Sequence, residues 1–151
     1  AATTTGAMIV LAAALTIAMQ EPEQEQRVTR RDLPAAVVRT VDAQARGATI
    51  RGFSKEKERG QTFYEVELRV NGHSRDILMD TTGAVVEVEE QVDIASLPAA
   101  VRAGLIAAAG SGKLRSVESV TRGGQTAYEG HVNTNGKWSE IQVGPDGKPL
   151  H

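Results

Sequence analysis

The sequence predicts an α+β fold: two tandem αβββ repeats, antiparallel sheets with one helix packed on each. Three observations predict it. Leu33-Pro34-Ala35-Ala36-Val37 returns as Leu97-Pro98-Ala99-Ala100-Val101, Tyr64-Glu65 returns as Tyr128-Glu129, and Asn71-Gly72 returns as Asn135-Gly136, each 64 residues later. A fixed spacing of this kind marks one folding unit used twice. Within each copy, a stretch with apolar residues every fourth position precedes stretches in which apolar and polar residues alternate, the periods of a helix and of half-buried strands. Finally, each Asn-Gly pair interrupts an alternating stretch where a two-residue hairpin needs two positive-φ residues. Units of about 60 residues are marginal as independent cores. Joining the two sheets edge to edge into one curved sheet would remove two exposed edges, a physical reason to keep the copies in tandem.

In chain order, residues 8–19 are an uncharged run of apolar and small residues that ends abruptly at Gln20-Glu21-Pro22-Glu23-Gln24-Glu25. This has the length of a signal-peptide hydrophobic region and is short for a bilayer span. Thr16-Ile17-Ala18 offers a small-residue cleavage pattern. Segment 1–19 therefore reads as signal-peptide-like with its true start upstream, and export leaves no stable membrane span after cleavage. Segment 20–31 reads as a polar linker, 32–92 as the first repeat and 93–151 as the second.

Asp32 and Ser96 stand before Leu-Pro in the two copies, a capping side chain followed by a proline tolerated in a first turn, and predict helix starts. Val37, Val41 and Ala45, and Val101, Leu105 and Ala109, line one face of each helix; Gly47 and Gly110 are the predicted stops. A strand over 49–57 follows, then 62–70, where Tyr64, Val66, Leu68 and Val70 alternate with Phe63, Glu65, Glu67 and Arg69. After the Asn71-Gly72 hairpin a return strand carries Ile77 and Met79, and Val85, Val86 and Val88 form a short extra strand or an extended link. The second copy repeats this with strands over 114–121, around Tyr128 and Val132, and around Ile141 and Val143, and can form only a stub before Leu150.

The repeated Leu-Pro-x-x-Val helix start, the Tyr-Glu strand, the Asn-Gly hairpin and the turns at Thr82-Gly83 and Pro145-Asp146-Gly147 together resemble the PepSY-like family, often described as β-lactamase-inhibitor-like periplasmic proteins. The resemblance spans residues 32–150. It implies tandem αβββ units forming a cupped sheet backed by helices, export in bacteria, and binding or inhibition of other proteins, including peptidases. The family pattern carries no catalytic residues.

Composition excludes several classes. The chain is 151 residues long, 40% hydrophobic and 24% charged, with a formal net charge of −2. No basic stripe calls for nucleic acid. Cysteine is absent, which removes disulfides, thiolate metal sites and cysteine nucleophiles together. His73, His131 and His151 have no metal-ligand spacing in sequence; His73 reads as a solvated turn histidine and His131 as a member of a cross-strand polar cluster with Glu129. Glu65 and Glu129 recur by duplication, and an outward strand glutamate beside a buried tyrosine reads as solvent-facing rather than as an acid pair. Gly110-Ser111-Gly112-Lys113 lacks phosphate-loop spacing and follows a helix instead of opening one. These readings predict no enzyme, no metal and no cofactor.

Alternation places Phe63, Leu78 and Trp138 on the face turned away from the helices, among charged residues. Aromatics rimmed by charge are the composition of a protein-binding hot spot. The sequence thus predicts an exported, non-catalytic module that binds an unidentified envelope or extracellular protein, as an inhibitor or modulator of a peptidase or other enzyme, through Phe63, Leu78, Trp138, Glu65 and Glu129. The alternative is a small-ligand-binding or sensory envelope protein that uses the concave sheet face.

Overall fold

The structure, a computed structural model, describes residues 24–150; the signal-peptide-like segment 1–19 and the first residues of the linker lie outside the described residues. The described chain is a mostly-sheet α+β fold with eight strands and two α-helices, divided into two compact units at residues 91 and 92.

In the first unit, β1 (Gln24–Val28) and a short 3-10 turn (Arg30–Asp32) lead into α1 (Ala35–Gln44). β2 (Thr49–Glu58), β3 (Gln61–Val70), β4 (His73–Asp80) and β5 (Val85–Val92) follow, each paired antiparallel with its chain neighbour. β1 corrects the reading of 20–31 as a linker. Its first four residues, Gln-Glu-Gln-Arg, are polar and exposed because an edge strand needs no continuous apolar side; the ladder to β2 holds it, and Val28 packs against the core at its end. Arg27 adds an ion pair of 2.7 Å to Glu67. α1 buries Val37 and Val41, which pack with Leu33 on Phe53, Tyr64, Val66, Leu68, Ile77 and Met79. That set is the even register of β3 together with its cross-strand partners.

The second unit has a 3-10 turn (Ile94–Ser96), α2 (Ala99–Ala109), β6 (Lys113–Arg122), β7 (Gln125–Thr134) and β8 (Lys137–Val143). Val101 and Leu105 of α2 pack with Leu97 on Val117 and Val143, supported by Leu114, Tyr128 and Ile141. Pro149 makes one isolated bridge to Val143, the predicted stub. Asn71 and Asn135 take positive φ of 51° and 53° ahead of Gly72 and Gly136, as the hairpins require.

The helix starts differ from expectation. Pro34 and Pro98, not Asp32 and Ser96, occupy the N-cap positions, and neither helix has a side-chain cap. The residue before proline is pushed to extended backbone, here Leu33 at ψ 139° and Leu97 at ψ 146°, which detaches the capping residues from the helix. Asp32 instead closes the preceding 3-10 turn, its Oδ2 accepting from Thr29 N at 2.9 Å and Thr29 Oγ1 at 3.0 Å. Gly110 is the α2 C-cap, whereas α1 is closed by Ala45 with Gly47 two residues beyond.

Each helix carries a tight turn on its back. Thr40 Oγ1 of α1 donates to the carbonyl of Gly83 at 2.6 Å, and a Cβ on Gly83 would meet the Ala36 carbonyl. In α2 the position corresponding to Thr40 is Gly104, where a Cβ would overlap the Gly147 carbonyl. The Gly83 turn is closed by Asp80, whose Oδ1 accepts from Thr82 Oγ1 at 2.6 Å, Thr82 N at 2.9 Å and Ala84 N at 3.1 Å. The Thr82 hydroxyl first, then the two amides, hold the Asp80 carboxyl below its ordinary 3.8; the Thr29 amide and hydroxyl do the same for Asp32. A carboxyl depressed in the folded state adds stability above its unfolded pKa and loses it as pH falls. Melting temperature should therefore drop below about pH 4, and an Asp80→Asn variant should show a shallower acid limb; identical limbs would contradict this role.

Candidate functional site

The face of each sheet turned away from its helix carries the chemistry. In the first unit, pairing sets three rows across this face: Glu25, Glu56, Phe63 and Asp80; Arg27, Ser54, Glu65, Leu78 and Glu87; and Glu67, Asp76 and Glu89. Phe63 and Leu78 lie on this face as predicted, but at 7% and 3% exposure they are buried. This corrects their assignment as presented contact residues. Each is flanked in its row by acidic residues of the neighbouring strands, Phe63 by Glu56 and Asp80 and Leu78 by Glu65 and Glu87.

Burial on this face sets the electrostatics. Burial first, then the charges of Glu56, Asp76, Glu67 and Glu25, push the Glu65 carboxyl up from 4.5 to about 9. Glu56 is raised to about 7, again chiefly by burial, with Glu25 and Glu58 adding repulsion and a hydrogen bond from Glu65 opposing it. Two carboxyls that share a proton in an apolar setting behave this way. Burial and the facing acids thus favour the protonated form of Glu65, which hydrogen-bonds Glu56, over the solvated charge expected from its outward register. Sequence reasoning missed Glu56; the signal was the two-residue turn at Arg59-Gly60, which sets Glu56 opposite Phe63.

In the second unit the equivalent face carries Trp138, at 63% the most exposed large apolar residue among the described residues. It is the second residue of β8, just after the Asn135-Gly136 hairpin and opposite Asn133. His131, Trp138, Ser139 and Glu140 line a surface depression. Glu129, by contrast, is buried and lies between Glu118 and Gln142 in its row. The His131 ring is ringed by acids: Nε2 is 3.7 Å from Glu118 and 3.9 Å from Glu129, and Nδ1 is 3.7 Å from Glu140. Glu129, His131 and Glu140 each offer a donor atom within 4.8 Å of the others. No linear spacing showed this cluster, since Glu140 reaches His131 only through the hairpin register.

The predicted site residues therefore fall into two groups: Phe63, Leu78 and Glu65 in the first unit, Trp138 and Glu129 in the second. Among the described residues, no helix is long and apolar enough to cross a membrane.

No protein-family model matches the chain, and no curated protein matches it in sequence. Solved structures do match. A DUF2874 family protein from Bacteroides ovatus superposes with a TM-score of 0.64 at 17% identity, over 79% of this chain and 85% of that one. A BLIP-like protein from Bacteroides fragilis gives 0.61 at 17% identity, over 79% and 84%. A candidate periplasmic protein from Bacteroides eggerthii gives 0.65 at 18% identity, over 79% and 86%. The chain thus shares its fold with DUF2874 and BLIP-like proteins.

Proposed function

We propose that this protein is an exported, non-catalytic protein-binding module built from two PepSY-like repeats, which engages an envelope or extracellular partner through the outer face of β7 and β8. The observation that carries the reading is Trp138, 63% exposed in a depression it shares with His131, Ser139 and Glu140. A large aromatic left in water beside a hairpin turn contributes little to folding, whereas tryptophan rimmed by polar groups dominates binding interfaces. Glu140 beside it, with Glu118 and Glu129 around the neighbouring His131, favours a partner surface rich in lysine and arginine. Phe63 and Leu78, being buried, act as the support of the first unit's acidic face and not as contacts.

The duplication is supported by the matching registers: Glu65 opposes Leu78 as Glu129 opposes Gln142, and the ladders shift after Ile50 and after Leu114, residues 64 apart. Export is supported by the signal-like segment and by the likeness to a candidate periplasmic protein. A role as inhibitor of a peptidase or other enzyme is the mode of action this reading proposes, by steric occupation of a groove rather than by chemistry. Immobilised protein should retain a defined partner from envelope extract, identified by mass spectrometry. A Trp138→Ala variant with an unchanged melting curve should lose it. Equal retention by the variant would overturn the assignment of the face.

A further inference from the structure

We propose that the outer face of β7 and β8 binds a divalent transition-metal cation of the Zn²⁺ class through Glu129, His131 and Glu140, with Glu118 and Gln142 completing the surroundings. The site goes beyond the protein-binding reading and does not depend on it. It is assembled by the Asn135-Gly136 hairpin, which sets His131 opposite Glu140 and Glu129 opposite Gln142, while β6 brings Glu118 opposite Glu129. The carboxylate oxygens stand 3.7–3.9 Å from the imidazole nitrogens, wider than a hydrogen bond. Two ligands of one tetrahedral Zn²⁺ stand about 3.4 Å apart, given metal–ligand distances near 2.1 Å. Glu118 and Glu129 stand at Nε2 and Glu140 at Nδ1; an ion takes one of the two nitrogens, and the donors, within 4.8 Å of one another, converge on it once the carboxylate side chains turn toward that nitrogen.

A second observation is independent of the charges. Gln142 is 5% exposed, and neither its amide oxygen nor its amide nitrogen has a hydrogen-bond partner. A buried unpaired amide is costly. Its side chain projects from the same face, in the row of Glu129 and two positions along β8 from Glu140. There its oxygen can serve as a neutral metal donor, or its N–H groups can orient a metal-bound carboxylate.

The first unit shows how the same place is satisfied without a metal. Glu67, 64 residues before His131, is ion-paired with Arg27 at 2.7 Å, and Gly52 leaves room for that guanidinium, which a Cβ would overlap. At His131 the facing groups are carboxylates. One imidazole among carboxylates, in a chain without cysteine, suits Zn²⁺ or another first-row cation, whereas Ca²⁺ and Mg²⁺ take all-oxygen shells.

The test is calorimetric titration of the whole chain with ZnCl₂ at pH 7, followed in parallel by tryptophan fluorescence, since Trp138 is the single tryptophan and borders the site. Expected are one saturable site, a change in emission, and a weakening of at least about tenfold in His131→Asn and in Glu129→Gln. CaCl₂ should give no saturable heat. The metal-free melting temperature of His131→Asn serves as the check that the variant is folded. Absence of saturation in the wild type, or undiminished binding by a folded His131→Asn, would overturn the site; equal binding of Ca²⁺ would overturn its metal class.

Discussion

A Glu65→Gln variant is expected to be more stable than the wild type at pH 8, by about 1–3 kcal/mol, because it removes an ionisable group that the fold resists charging. The sign follows from linkage. Glu65 is raised from 4.5 to about 9 and Glu56 to about 7, so between those values and 4.5 the folded state holds protons that the unfolded chain releases. Stability then declines as pH rises through that window, and neither group contributes below it. The amide of glutamine keeps the shape and can still donate to Glu56. The variant should consequently match the wild type near pH 4.5 and exceed it increasingly toward pH 9, with a melting temperature higher by several degrees at the alkaline end. Combined with the acid limb from Asp32 and Asp80, the wild type should be most stable near pH 5. Thermal melts of both proteins from pH 4 to 9 decide it: parallel curves would mean that the Glu65 carboxyl is freely solvated.

Gly104→Ala should destabilise the protein by about 2–4 kcal/mol, against the gain of up to about 1 kcal/mol that replacing a helical glycine ordinarily brings. The opposing term is steric. A Cβ at this position overlaps the carbonyl and Cα of Gly147, a rigid backbone neighbour that cannot rotate away. Gly147, at φ of 79°, is itself packed close on α2, since a Cβ there would meet the Ala100 carbonyl. In the first unit Thr40→Ala introduces no overlap and removes the hydroxyl's hydrogen bond to Gly83 and its longer one to Ala36, an expected loss of about 0.5–1.5 kcal/mol. Chemical denaturation of the two variants separates the effects. A stabilised Gly104→Ala would show that the turn does not rest on α2.

Much of the fold was legible because local signals agreed with each other. The alternation of 62–70, the Asn-Gly pairs and the spacing of Val37 and Val41 all specify a helix laid on one face of a meander. β1 was not legible, since a polar edge strand has no period-two pattern and owes its conformation to the ladder with β2. The capping roles of Asp32 and Ser96 were misplaced because proline forces an extended residue between cap and helix.

The candidate sites were legible by face but not by environment. Alternation correctly set Phe63, Leu78 and Trp138 opposite the helices, yet exposure depends on what the adjoining strands supply. Phe63 and Leu78 lie in interior rows flanked on both sides by acids, whereas Trp138 sits beside the hairpin with Asn133 as its cross-strand partner. The same distinction turns Glu65 from a surface charge into a proton-holding group. The cluster at His131 was encoded in the sequence by hairpin register: once Asn135-Gly136 is fixed as a two-residue turn, Glu140 must face His131.

The most direct measurement of the protein-binding account is calorimetric titration of the captured partner against wild type and Trp138→Ala, with melting curves of both. The account predicts a loss of about 2 kcal/mol or more, roughly 30-fold in Kd, with the melting temperature changed by no more than the small shift typical of a surface substitution. An unchanged Kd would contradict it, and so would a collapse in melting temperature, which would make Trp138 a structural residue of the second unit.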